Sequence, residues 1–136
     1  MKKMTIFILV IVFVLLLASC GPESLSDSKK GFCDSMAKLG GAIETAQGID
    51  AGTTVEQVQD AQKELKGAMD GVRESAGDLK EVQLDKVDDA YDAMMDKIKG
   101  VSGKDTLGEA AGTIQEAVTK FAAAYKVINT TVCVGK

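Results

Sequence analysis

From Phe32 onward, apolar residues recur at alternating steps of four and three. Phe32, Met36, Leu39, Ile43 and Ala46 therefore fall on one face of a helix. The stretch GIDAGTT (48–54) ends that segment and opens another, with Thr53 and Glu56 spaced as a capping box. In the second segment Val58, Leu65, Val72 and Leu79 recur seven apart, flanked by Val55, Ala61, Ala68, Met69 and Ala76. Across GDLKEVQ (77–83) the phase slips. Continuing the seam requires apolar residues at 83 and 86, where Gln83 and Lys86 stand. A new series starts at Leu84 and runs through Val87, Tyr91, Met94 and Ile98, so a tight helix–helix turn is expected near 79–83, with a bend in one long helix as the alternative. GVSGKD (100–105) is the next loop, followed by Thr106 and Glu109, again at capping-box spacing. The last helix carries Leu107, Ala111, Ile114, Val118, Phe121, Tyr125 and Ile128. Four amphipathic segments with short connections predict an all-α, antiparallel, up-down-up-down four-helix bundle.

The pattern before Phe32 is of another kind. A basic start, MKK, is followed by twelve apolar residues from Ile6 to Leu17 and then by Ala-Ser-Cys-Gly. This is the anatomy of a secretory signal peptide. The apolar stretch from Met4 to Ala18 falls short of the roughly 20 residues that a spanning helix needs. Leu17-Ala18-Ser19-Cys20 resembles the lipobox of bacterial lipoproteins. The resemblance implies a diacylglycerol on the Cys20 sulfur, cleavage after Ser19 and an exported protein held at a bacterial membrane by lipid. Two or more acyl chains give the stable anchoring that one chain does not. The expected organisation is a signal peptide over 1–19, a lipidated tether over 20–28 and a bundle domain over 29–136. The tether GPESLSDS (21–28) holds the only proline and reaches at most ~28 Å when extended.

With Cys20 carrying lipid, Cys33 and Cys133 remain as a pair, and an oxidising compartment favours joining them. The alternative is two buried thiols. In a four-helix up-down bundle the start of helix one and the end of helix four share an end, within the ~4.4–6.8 Å Cα separation of a disulfide. A three-helix chain would hold them roughly 30 Å apart. The bridge and the phase slip at 80–83 thus support the same architecture.

Composition narrows the chemistry. Removing Lys2 and Lys3 with the leader leaves 14 basic against 20 acidic side chains, a net charge near −6, which argues against nucleic acid as a partner. The chain has no histidine, which removes His-based metal sites and Ser-His or Cys-His nucleophiles. No cofactor, metal site or catalytic constellation is expected, and the chain reads as a non-enzyme. In DKVDDAYDAMMDK (85–97), Asp88, Asp92 and Asp96 lie four apart opposite the apolar seam. They read as a solvated face rather than a cation site. Met36, Met69 and Met94 read as core filler. Six glycines fall inside the predicted helices, including the pairs Gly67/Gly71 and Gly108/Gly112, which suggest close helix approach or, alternatively, a cavity for an apolar ligand.

The mature part resembles small, alanine-rich helical bacterial lipoproteins by composition and helical pattern. The leading expectation is a membrane-tethered, non-enzymatic interaction module of the cell envelope. Its partner-facing tip is expected at the loops 48–54 and 100–106, with Ile49, Asp50, Val101 and Lys104 as candidates. The rival expectations are a binder of an apolar small molecule or lipid within the bundle, and a purely structural envelope lipoprotein.

Overall fold

The structure is a computed structural model that describes residues 23–77, 79, 82–101 and 107–134. Cys20, Lys104 and Lys136 lie outside these residues, as do the leader and Thr106. Among the described residues four α-helices follow one another: α1 (Glu23–Gln47), α2 (Val55–Ala76), α3 (Asp85–Lys99) and α4 (Ala110–Ile128). A short π-helix, Asn129–Val134, continues α4. Neighbours in the bundle are α1 with α2, α3 with α4, α1 with α4 and, at fewer positions, α2 with α3. The diagonal pairs do not meet, so the architecture is the expected antiparallel four-helix bundle. α2 ends at Ala76 and α3 begins at Asp85, so the phase slip marks two helices rather than a bend in one.

The seams read from the sequence form the core. Phe32, Met36, Leu39, Ile43 and Ala46 of α1 are buried, as are Val58, Ala61, Leu65, Met69 and Val72 of α2. Facing them are Val87, Tyr91, Met94, Met95 and Ile98 of α3, with Ala111, Ile114, Val118 and Phe121 of α4. The rings of Tyr91 and Phe121 meet at 5.7 Å between centroids, tilted by 60°, a favourable aromatic arrangement. Each large side chain here contributes about 1.5–3 kcal/mol by leaving water. Among the described residues no charged side chain is buried, and the core is built from aliphatic, methionine and aromatic side chains.

Several local expectations are corrected. The helix α1 begins at Glu23, so residues 23–28 are helical rather than a tether. Serine and aspartate weaken a helix interior only modestly, and without an internal proline or glycine nothing in ESLSDS stops the helix. The cap of α2 is Thr54 with Gln57, not Thr53 with Glu56: the Thr54 hydroxyl accepts from the Gln57 N–H, and the Gln57 side chain accepts from the Thr54 N–H. Thr53 is engaged elsewhere, as described below. Leu107 precedes α4 instead of opening it. The break comes from Gly108, whose φ of +51° lies in the left-handed region that only glycine adopts without cost.

The glycine pairs do not mark helix contacts. Gly67 and Gly112 have open space where a Cβ would stand, and Gly71 would make only an ordinary contact with Ser35. The close approach is at Gly40, where a Cβ would fall 2.6 Å from the Tyr125 hydroxyl. There α1 and α4 come together around a missing side chain.

Candidate functional site

The end of the bundle formed by the α1–α2 and α3–α4 loops is tied by hydrogen bonds. The Asp50 carboxylate accepts from the Gly52 N–H at 2.9 Å and from the Thr53 hydroxyl at 3.1 Å. The Asp50 N–H donates to the Thr53 hydroxyl at 2.8 Å, which closes the turn and leaves Thr54 to cap α2. The second loop is stitched to the first: Leu107 N–H donates to the Thr53 carbonyl and Gly108 N–H to the Ala51 carbonyl, both at 3.2 Å. From α4, the Gln115 amide donates to the Ile49 carbonyl at 2.8 Å. Leu107 is fully buried, so it plugs the core from the loop.

These contacts decide which expected tip residues face outward. Asp50 is exposed, with its carboxylate engaged in the turn. Val101 is half-buried and its N–H donates to the Ile98 carbonyl at 3.0 Å. Ile49 is only 3 % exposed, which removes it as a partner-facing residue. Its side chain belongs to the core cluster, while its N–H donates to the Ala46 carbonyl and its carbonyl accepts from Gln115. Lys104 lies outside the described residues. A shallow depression of about 380 Å³ beside the tip is bordered by Thr45, Gln57, Asp60 and Glu64.

At the opposite end, Cys33 and Cys133 form the expected disulfide, with their Cα atoms 5.6 Å apart. It fastens the π-helix, none of whose residues is buried, to α1. Beside it lies a groove of about 430 Å³ between the start of α3 and the end of α4. Val82, Ala124, Val127, Ile128 and Val132 give it apolar walls, and Gln83, Asp85, Lys86 and Thr131 add polar groups. The large apolar side chains that stand well exposed among the described residues are Leu25 (64 %), Val127 (65 %) and Val134 (66 %), all towards this end.

Sequence reasoning did not find the groove, although a signal was available. Val127, which lines it, lies off the seam that runs from Leu107 to Ile128.

The acidic face of α3 is answered by one cation from α2. Arg73 donates to Asp88 at 2.7 Å, lies 3.6 Å from Asp70 and 3.9 Å from Asp92, and stands over the Tyr91 ring at 5.3 Å. Partial burial opposes the guanidinium charge, but Asp88 and Asp92 outweigh it and raise the Arg73 pKa. Burial pushes the Tyr91 hydroxyl up, with Arg73 pulling the other way. A hydrogen bond from Lys66 holds Asp70 below the usual carboxylate range. Arg73 thus clamps α2 to α3 where these helices otherwise meet little. Among the described residues, no three His, Cys, Asp or Glu side chains are grouped to hold a metal ion.

Comparison with known proteins finds no matching family model, no similar curated protein and no similar solved structure. The functional reading therefore rests on the chain's own chemistry.

Proposed function

We propose that this chain is an exported bacterial lipoprotein, anchored through lipid on Cys20, whose bundle acts as a non-enzymatic interaction module of the cell envelope. The observation that supports it most is the Cys33–Cys133 bridge, a linkage that oxidising compartments outside the cytosol favour. The same bridge fastens the end of α4 near the beginning of α1, which starts three residues after Cys20. Anchor and bridge then share one end, and the cross-stitched loops stand at the other. A tip whose backbone is already held by Asp50, Thr53 and Gln115 loses little further freedom on binding, a condition that favours recognition. No described helix is long and apolar enough to cross a membrane, and in this reading the lipid makes the attachment.

Two measurements test the reading. Intact mass of the detergent-extracted protein is expected to show Cys20 as an acylated N-terminus, and Cys20→Ala is expected to leave the membrane fraction. A Cys20→Ala protein that stays membrane-bound with unchanged mass overturns the anchor. For the module, a photo-crosslinking residue at Ala51 or Gly52 is expected to capture one recurrent envelope partner in intact cells. Capture of nothing but abundant neighbours overturns the tip as a binding site.

A second reading, binding of an apolar molecule, draws its support from the groove between α3 and α4. The glycine content of the helices gives it none, since Gly67 and Gly112 face open space.

A further inference from the structure

We propose that the groove between the start of α3 and the end of α4 holds one acyl chain of the protein's own lipid anchor. The inference rests on the lipoprotein reading and deepens it by giving the anchor a second resting place.

The walls set the chemistry of the occupant. Val82, Ala124, Val127, Ile128 and Val132 offer apolar side chains, the polar groups Gln83, Asp85, Lys86 and Thr131 are all exposed to solvent, and the Thr131 hydroxyl already donates to the Val127 carbonyl. A site for a polar small molecule needs a few convergent donors and acceptors in its depth, which this groove lacks. Its volume of about 430 Å³ falls within the roughly 300–1,000 Å³ of small-ligand sites. A slender, unbranched apolar chain suits such a trough.

The reach is sufficient. Cys20 stands three residues before α1, a span of about 10 Å at most. From Glu23 to Cys33 the helix rises roughly 15 Å. Cys133 adjoins Cys33, and the next residue back along the chain, Val132, already lines the groove. An acyl chain covers about half of a ~30 Å bilayer core, or roughly 15 Å. Folded back along α1, linker and acyl chain together span about 25 Å, more than the roughly 15 Å of helix rise between Glu23 and the level of the bridge beside Val132.

Tethering decides between this chain and a free lipid. A short linker gives an attached group an effective concentration on the order of millimolar, so the protein's own acyl chain outcompetes a dilute one. Docking one chain leaves the rest of the anchor inserted. Where two chains are attached, it leaves the marginal hold of a single one, and groove occupancy loosens the protein from its membrane.

The test uses the full-length protein in cells fed a fatty acid bearing a terminal diazirine. After irradiation the protein is purified, its intact mass is measured and its cross-linked peptides are mapped. The expected result is an acylated Cys20 with a cross-link inside the same chain, from the Cys20 peptide to residues 82–86 or 124–132. Ala124→Trp, which fills the groove, and Val127→Asp, a change at an exposed position, are each expected to lose that cross-link. Either variant suffices if the other fails to fold. An acylated protein cross-linked only to phospholipid or to a second copy overturns the groove assignment and leaves the lipoprotein reading standing. So does an intramolecular cross-link undiminished in the folded variants. A protein with no acyl mass overturns both.

Discussion

The two ends of the bundle join distant parts of the chain by different bonds. At the loop tip, residues 49–53 meet residues 107–115 through three hydrogen bonds and one buried leucine. At the other end, residue 33 meets residue 133 through a covalent bridge, with exposed apolar side chains around it. Each such hydrogen bond contributes about 0.5–1.5 kcal/mol, so the tip depends on several acting together. The disulfide acts alone, closing a loop of about 100 residues for up to roughly 4.7 kcal/mol in the chain-entropy model. The tip is thus indifferent to redox conditions and sensitive to sequence. The bridged end instead depends on redox conditions and on two residues, Cys33 and Cys133.

The largest expected effect tests that contrast directly. Replacing Cys33 and Cys133 by serine, or reducing the bridge, is expected to lower stability by about 4 kcal/mol in denaturant unfolding. Amide exchange is expected to speed up over 129–134 while 49–54 and 107–111 keep their protection. Equal loss of protection at both ends would show that they are one cooperative unit and would break the comparison. Leu107→Ala comes next, at about 3 kcal/mol, because a fully buried leucine leaves a cavity when truncated. Its exchange signature is expected to reverse, with the tip opening first and the bridged end last.

Smaller effects sharpen the picture. Thr54→Ala removes the cap of α2 and is expected to cost about 1 kcal/mol, with the helix melting from its tip end. Gly112→Ala and Gly67→Ala are each expected to raise stability by about 0.5–1 kcal/mol, since helix propensity improves and the added methyl meets nothing. Gly40→Ala is expected to give no such gain, because its Cβ would displace Tyr125. A gain at Gly40 equal to that at Gly112 would mean that α1 and α4 are not closely apposed there.

How far the sequence alone carried this picture varies with the kind of interaction. The seams of α1 and α3 were legible because a buried stripe imposes its period on every residue in it. The Cys33–Cys133 bridge was legible because helix parity allowed only one end for both cysteines. The cap of α2 was misassigned because Thr53 and Thr54 both suit an N-cap. Only the Asp50 turn, which occupies the Thr53 hydroxyl, separates them. Leu107 kept the helical spacing although Gly108 holds it out of α4. Ile49 stood in a polar loop and read as exposed, while in the fold it joins the core cluster and its carbonyl accepts from Gln115, 66 residues away. The groove escaped for a related reason: its walls come from the α2–α3 turn and the end of α4, and no single stretch of sequence spells them together. Periodicity reports what one helix buries, and not which turns meet.

The bridge also has a topological consequence. Residues 33 to 133 form a closed covalent ring. A single protease cut at the α2–α3 turn opens that ring without releasing a fragment, since both pieces remain joined through sulfur. Nicked protein will migrate as one molecule until a reductant is added and then separate into two.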